Sequence, residues 1–215
     1  MTARRKLIRR TALAATAGVA ALVLAACGGD SDSGGHDMGS MASDSSPSAS
    51  ASASAKAGGH GDADVDFATE MIQHHRQAVD MADLAADRAS SQEVKALATK
   101  IKGAQDPEIK TMSGWLTSWG EEVPADMSGM KGHDMSSGMP GMMSNEDMDK
   151  LEKASGAEFD KLFLEMMVEH HEGAIEMAET EKADGEYGPA TKLADDVITA
   201  QTAEIEQMNK MLGKS

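Results

Sequence analysis

The chain has 215 residues, 36 Asp+Glu against 20 Lys+Arg for a formal charge of −16, and a single cysteine. So acidic a balance excludes nucleic acid as a partner, because phosphates need a basic footprint, and one cysteine excludes intrachain disulfides and zinc-thiolate clusters. Aromatic residues make up only 3% while methionine occurs 18 times, so a core must be built from Leu, Ile, Val, Ala and much Met.

Residues 1–26 read as a targeting signal. Arg4, Arg5, Lys6, Arg9 and Arg10 precede an apolar run, Ala12 to Ala26, that is too short and too Ala-rich for a membrane span. The run ends in Leu24-Ala25-Ala26-Cys27 followed by two glycines, which resembles a bacterial lipobox. That resemblance implies cleavage before Cys27, lipid on its sulfur, and an extracytoplasmic protein anchored to the bacterial cell membrane. The Arg4-Arg5 pair suits twin-arginine export, and Sec export is equally compatible. Removing these residues takes away five bases and no acid, leaving 15 Lys+Arg against 36 Asp+Glu, or −21. Residues 27–61, mostly Gly, Ser, Ala and Asp, read as a flexible tether; it carries His36, Met38, Met41 and His60.

Residues 62–215 show helical periodicity without strand-like alternation, which predicts an all-α domain. Residues 62–119 and 158–215 align without a gap at a constant offset of 96: Phe67 with Phe163, Met71 with Met167, His74-His75 with His170-His171, and Met81 with Met177. The register continues through Gln105 and Gln201, Glu108 and Glu204, Met112 and Met208, and Leu116 and Leu212. Each copy reads as two helices. In the first copy these run from about Asp64 to Ala89 and from a cap at Ser90 to Trp119, with Pro107 expected to kink the second. Gly185, Gly188 and Pro189 separate the helices of the second copy. Residues 120–157 form a Met-rich linker with a short helix near 145–154. Two amphipathic hairpins predict a four-helix bundle.

The duplicated pattern M-x-x-H-H-x-x-A-x-x-M-A spans Met71–Ala82 and Met167–Ala178. At about 100° per residue its named positions share one arc of roughly 120°. Methionines in such a stripe also suit plain core packing. Two adjacent imidazoles kept in both copies do not, since packing has no need of buried polar groups that must then be satisfied. Thioether is a soft, neutral ligand that selects Cu(I), and imidazole suits both copper states. Met71, His74, His75, Met81, Met112, Met167, His170, His171, Met177 and Met208 are therefore the candidate copper ligands. Gln105, Glu108, Gln201 and Glu204 are candidates to accept a histidine N–H and fix its tautomer. In the linker, Met127, Met130, His133, Met135, Met139, Met142 and Met143 stand on a Gly/Ser backbone and form a second, flexible ligand set.

The paired Phe-x3-Met-x2-His-His-x2-Ala-x2-Met-Ala segments, each followed by Gln-x2-Glu-Ile-x2-Met, resemble the domain of unknown function 305 family over 62–119 and 158–215. The resemblance implies a ferritin-like helical fold, often exported, with copper bound by some members. It places Met71, His74, His75, Met112, Met167, His170, His171 and Met208 in a metal-binding core. The second copy lacks the Trp115 to Gly120 ending of the first and has Met211-Leu212 there.

These readings converge on a non-enzymatic lipoprotein that buffers, sequesters or delivers copper. Copper ions and the membrane, through the lipid anchor, are its expected partners, and a copper-handling protein or a second copy of the chain is compatible. Two rivals stand beside it. A di-iron or di-manganese oxidoreductase needs duplicated carboxylates, but Glu70 is matched by Met166, and Glu169 and Glu172 by Gln73 and Arg76. A metal-free structural module needs only that the histidines be hydrogen-bonded.

Overall fold

A computed structural model describes residues 59–126 and 138–214. The lipobox cysteine Cys27, the tether up to residue 58 and the linker positions Met127, Met130, His133 and Met135 lie outside the described residues. Five helices follow in chain order: α1 (Asp62–Arg88), α2 (Gln92–Trp119), α3 (Asn145–Lys153), α4 (Gly156–Asp184) and α5 (Gly188–Met211). Among the described residues there is no strand, and no helix is long and apolar enough to cross a membrane.

Local chemistry explains the helix ends. The Ser91 hydroxyl, not Ser90, caps α2 by accepting the Val94 N–H at 3.3 Å. Ser90 is instead drawn to Asp160 of α4, which accepts both its N–H and its hydroxyl. Gly120, with φ 85°, closes α2 in the left-handed conformation that glycine adopts freely. Pro107 does not divide α2. It and Gly103, whose carbonyl it leaves without an i+4 donor, are both exposed, so water can serve that carbonyl. Ser144 caps α3 through Asp147 N–H, and Pro189 opens α5.

The helices pair as two hairpins, α1 on α2 and α4 on α5, joined face to face by α1 against α4. Those two central helices run antiparallel. At one end Asp64 of α1 accepts the N–H groups of Glu186 and Tyr187 beyond α4, and at the other Asp160 receives Ser90 and Ser91 beyond α1. Asp64 also accepts Gly61 N–H at 2.6 Å, so one carboxylate ties the start of α1 to the α4–α5 turn. Beside it lies the buried Glu181, whose pKa is pushed up to about 8 by burial and by the Asp64 carboxylate. At this end His60 stacks on Trp119, with ring centroids 4.3 Å apart, and Trp115 and Trp119 meet Tyr187 edge-on. The Trp ending of the first repeat thus packs on the second hairpin, and His60 belongs to the folded domain.

The end of the linker is structured. Met143 is buried in the core and Met139 and Met142 are partly covered. The expectation of a wholly flexible Met-rich segment therefore fails here: Met143 is core packing, held by both ends of the Gln77 side-chain amide, 2.7 Å from its N–H and 2.9 Å from its carbonyl. The strap also presses on α4, where a Cβ added at Gly173 would lie 2.2 Å from the Pro140 carbonyl oxygen. At Gly141 the backbone has φ +71° and an added Cβ would meet the Glu169 carbonyl at 2.7 Å. Gly173→Ala is expected to lift the strap and lower stability by about 1–3 kcal/mol. Urea unfolding reads the loss, and limited proteolysis near residue 140 reads the release.

Candidate metal centre

The register places both histidine doublets at the crossing of α1 and α4. All four imidazoles are fully buried, and the rings of His74 and His170 lie 3.8 Å apart between centroids. These two residues are equivalents in the repeat, so they meet at the pseudo-twofold axis that relates the hairpins. His75 and His171 turn back toward their own hairpins. Nε2 of His75 is 2.7 Å from Glu108 Oε2, and Nε2 of His171 is 2.8 Å from Glu204 Oε2. Both pairs are separated by 33 residues, one copy of the same device in each hairpin.

These partners fix the protons. A carboxylate or a carbonyl can only accept, so His75 and His171 donate from Nε2 to the glutamates, and His74 donates from Nε2 to the Pro140 carbonyl at 3.1 Å. The lone pair of each of these rings is left on Nδ1. No hydrogen-bond partner reaches Nδ1 of any of the four histidines, or Nε2 of His170. Buried ring nitrogens that carry lone pairs and lack donors are what a metal ion would satisfy.

Burial also keeps three of the rings, those of His74, His170 and His171, neutral. It pushes the His74 pKa down to about 3, helped by the neighbouring His75 and His171. His170 is lowered well below the ordinary value by burial and then by His74, His171 and His75. His171 is lowered by burial in spite of the glutamate beside it. For Glu204 burial acts upward, but His171 and Lys100 together outweigh it and hold the carboxyl down. A charged acceptor thus faces a neutral donor, the arrangement that raises the basicity of the opposite ring nitrogen.

The methionines divide into two symmetric sets. Met71, Met112 and Met177 belong to one core cluster, and their equivalents Met167, Met208 and Met81 to the other. Along α1, Met71 lies one turn before the doublet and Met81 about two turns after it, so the imidazoles stand between two thioether triads. Gln105 and Gln201 are buried as well, but neither amide oxygen accepts a hydrogen bond, and only Glu108 and Glu204 engage the rings. Among the described residues no three His, Cys, Asp or Glu side chains gather in an arrangement that could hold an ion. Thioethers would have to complete any coordination.

Sequence reasoning missed the linker's part. Arg76 donates to the carbonyls of Pro124 and Ala125, while His74 and Gln77 hold Pro140 and Met143. Both described ends of the Met-rich segment are thus pinned to residues 74–77, beside the imidazoles. The available signal was the replacement of Gln77 by Gly173 in the second copy.

Residues 64–212 match the family described as Domain of unknown function (DUF305). The chain belongs to this family. Solved DUF305 structures share the fold: a protein from Streptomyces coelicolor, described as secreted, is 33% identical with a TM-score of 0.61, covering 71% of this chain and 93% of its own. A fragment from Deinococcus radiodurans is 27% identical with a TM-score of 0.62, covering 72% and 98%. CopM in its Cu(II)-bound form is 38% identical with a TM-score of 0.59, covering 69% and 94%. CopM is also solved with Cu(I), with Ag and in the apo form. Among curated proteins none matches the chain.

The lowered histidines make an acid-sensitive contribution to the stability of the bundle. The unfolded chain binds protons at these rings below about pH 6.5 and the folded chain does not, so the histidines' contribution to stability is full above that value and falls as pH drops toward 3. Glu181, raised to about 8, acts in the opposite direction as pH falls from 8 toward the ordinary carboxyl range. Between pH 6.5 and 5, His74 alone removes about 2 kcal/mol. Urea midpoints of the metal-free protein at pH 7.5 and 5 test this against a variant with His74 and His170 replaced by Leu, in which acidification is expected to cost less stability than in the unaltered chain.

Proposed function

We propose that this chain is a copper-binding lipoprotein on the outer face of the cell membrane, which buffers, sequesters or delivers copper and catalyses no reaction. The observation that carries the reading is the buried four-imidazole crossing, with its donor-free Nδ1 atoms set between two methionine triads. CopM, a relative with copper- and silver-bound structures, supports the metal. The S. coelicolor relative, described as secreted, supports the location. The anchor rests on the lipobox at Cys27 alone.

Neutral imidazole and thioether need lose no proton to bind, so acid competes weakly with copper here, and soft sulfur favours the Cu(I) state. Glu108 and Glu204 orient His75 and His171 through Nε2, leaving Nδ1 toward the ion. A di-iron or di-manganese centre is less well supported, since the two carboxylates at the doublets are already engaged with histidine.

Anaerobic Cu(I) titration of the full chain, with X-ray absorption, is expected to show tight uptake and sulfur scattering. Changing His74, His75, His170 and His171 to Leu should abolish tight uptake while leaving metal-free stability equal or higher, because unsatisfied ring nitrogens are removed. Glu108→Gln should weaken copper binding by about 10–100-fold. Unaltered copper content in the four-histidine variant would refute the centre. Cys27→Ser is expected to move the protein from the membrane fraction to the soluble fraction.

A further inference from the structure

A cleft of about 380 Å³ opens between α1 and α4 on the Asp64–Glu181 side of the histidine crossing. Its exposed mouth carries Asp66, Glu70, Glu176 and Asp184, and no Lys or Arg lines it. Deeper in stand the thioether of Met177 and Pro140, whose carbonyl accepts from His74. Exposed acids alone would mean little on so acidic a chain. Glu181 is different: it lines this cleft, is only 1% exposed, and neither of its carboxyl oxygens receives a hydrogen bond from an N–H or hydroxyl donor. Its neighbour is a second carboxyl, Asp64, which has already drawn three backbone N–H groups to itself. Near neutral pH Glu181 keeps its proton and shares it with Asp64, so only a proton holds the two carboxyls together, and a cation entering the acid-lined cleft would take its place.

The repeat gives an internal control. The positions equivalent to Asp66, Glu70, Glu181 and Asp184 are Leu162, Met166, Ala85 and Arg88, and only Glu176 keeps an acidic counterpart, Asp80. On that side Phe159, Phe163, Met166 and Ala85 close the space as core. One end of the α1–α4 interface is therefore sealed with apolar side chains, and the other is open and acidic.

We infer that the open end is a docking vestibule for a hydrated divalent cation, which passes from there to the imidazoles beneath the Pro140 strap. Docking through water needs no converging set of three ligands, and a cleft lined by one sign of charge raises the local cation concentration. Met177 at the inner wall is the first soft ligand on the way. The passage to the imidazoles rests on the copper reading; the docking does not.

Mn(II) separates the two, since it prefers oxygen ligands and binds thioether and imidazole poorly. Its paramagnetic broadening of amide signals in the full chain is expected to centre on residues 66–70 and 176–184. Glu70→Gln with Glu176→Gln, both exposed and safe for folding, should weaken it, and adding Glu181→Gln should abolish it. In stopped-flow mixing with Cu(II), the triple variant should take up copper about tenfold more slowly. A charge-matched control at the sealed end and on α5, Asp87→Asn with Glu158→Gln and Glu206→Gln, should keep the original rate. Broadening spread over all acidic surfaces, or surviving in the triple variant, overturns the vestibule. Localised Mn(II) with no copper uptake supports docking and overturns the passage together with the copper reading. Equal slowing by both triple variants overturns the passage alone.

Discussion

Everything in this fold answers to one constraint: four imidazoles are buried where α1 and α4 cross, and His74, His170 and His171 are held uncharged there. Water is excluded, so protonation would place cations against one another in a medium that solvates them poorly. Burial meets the constraint; three of the rings also find an acceptor for Nε2–H, two from glutamates and one from a backbone carbonyl, and for His74 and His171 burial outweighs that acceptor's pull toward the charged form. The fourth, His170, has no partner at either nitrogen and leans on His74. Surrounding hairpins, Asp64 and the strap hold this crossing in place, and the unspent lone pairs are what give it a use.

Much of this was readable beforehand, because the signal was periodic and doubled. A 96-residue offset with matching histidine doublets gave the hairpins, their inward faces and the equivalence of His74 with His170. The spacing from His75 to Glu108 recurs from His171 to Glu204, so a repeated contact was visible as a repeated interval. Gln105 and Gln201 obeyed the same logic and yet make no such contact, since periodicity reports a shared face and not a hydrogen bond. Ser90 looked like the cap by spacing from Glu93. A long-range acceptor, Asp160, claimed it and left Ser91 to do the capping.

What was illegible lies in contacts between distant segments of low complexity. A Gly/Ser/Met string has no period, so nothing in it said that Pro140 and Met143 would dock. The pairing of Asp64 with Glu181 was hidden for a related reason: Asp64 recurs as Asp160, but Glu181 is matched by Ala85, and a reading guided by duplication looks past what is not duplicated. The acidic end of the α1–α4 interface came to light through that asymmetry.

The strap lies across the pseudo-twofold axis, touching Gln77 on one helix and Gly173 on the other, although these occupy the same position in the two copies. A lone hairpin pairing with its twin would need that position to be glutamine and glycine at once. Fusion of the two halves into one polypeptide dissolves the contradiction, because each half is free to diverge. An asymmetric cover over a symmetric pair of rings is thus open to a tandem gene product and closed to a homodimer of its ancestor.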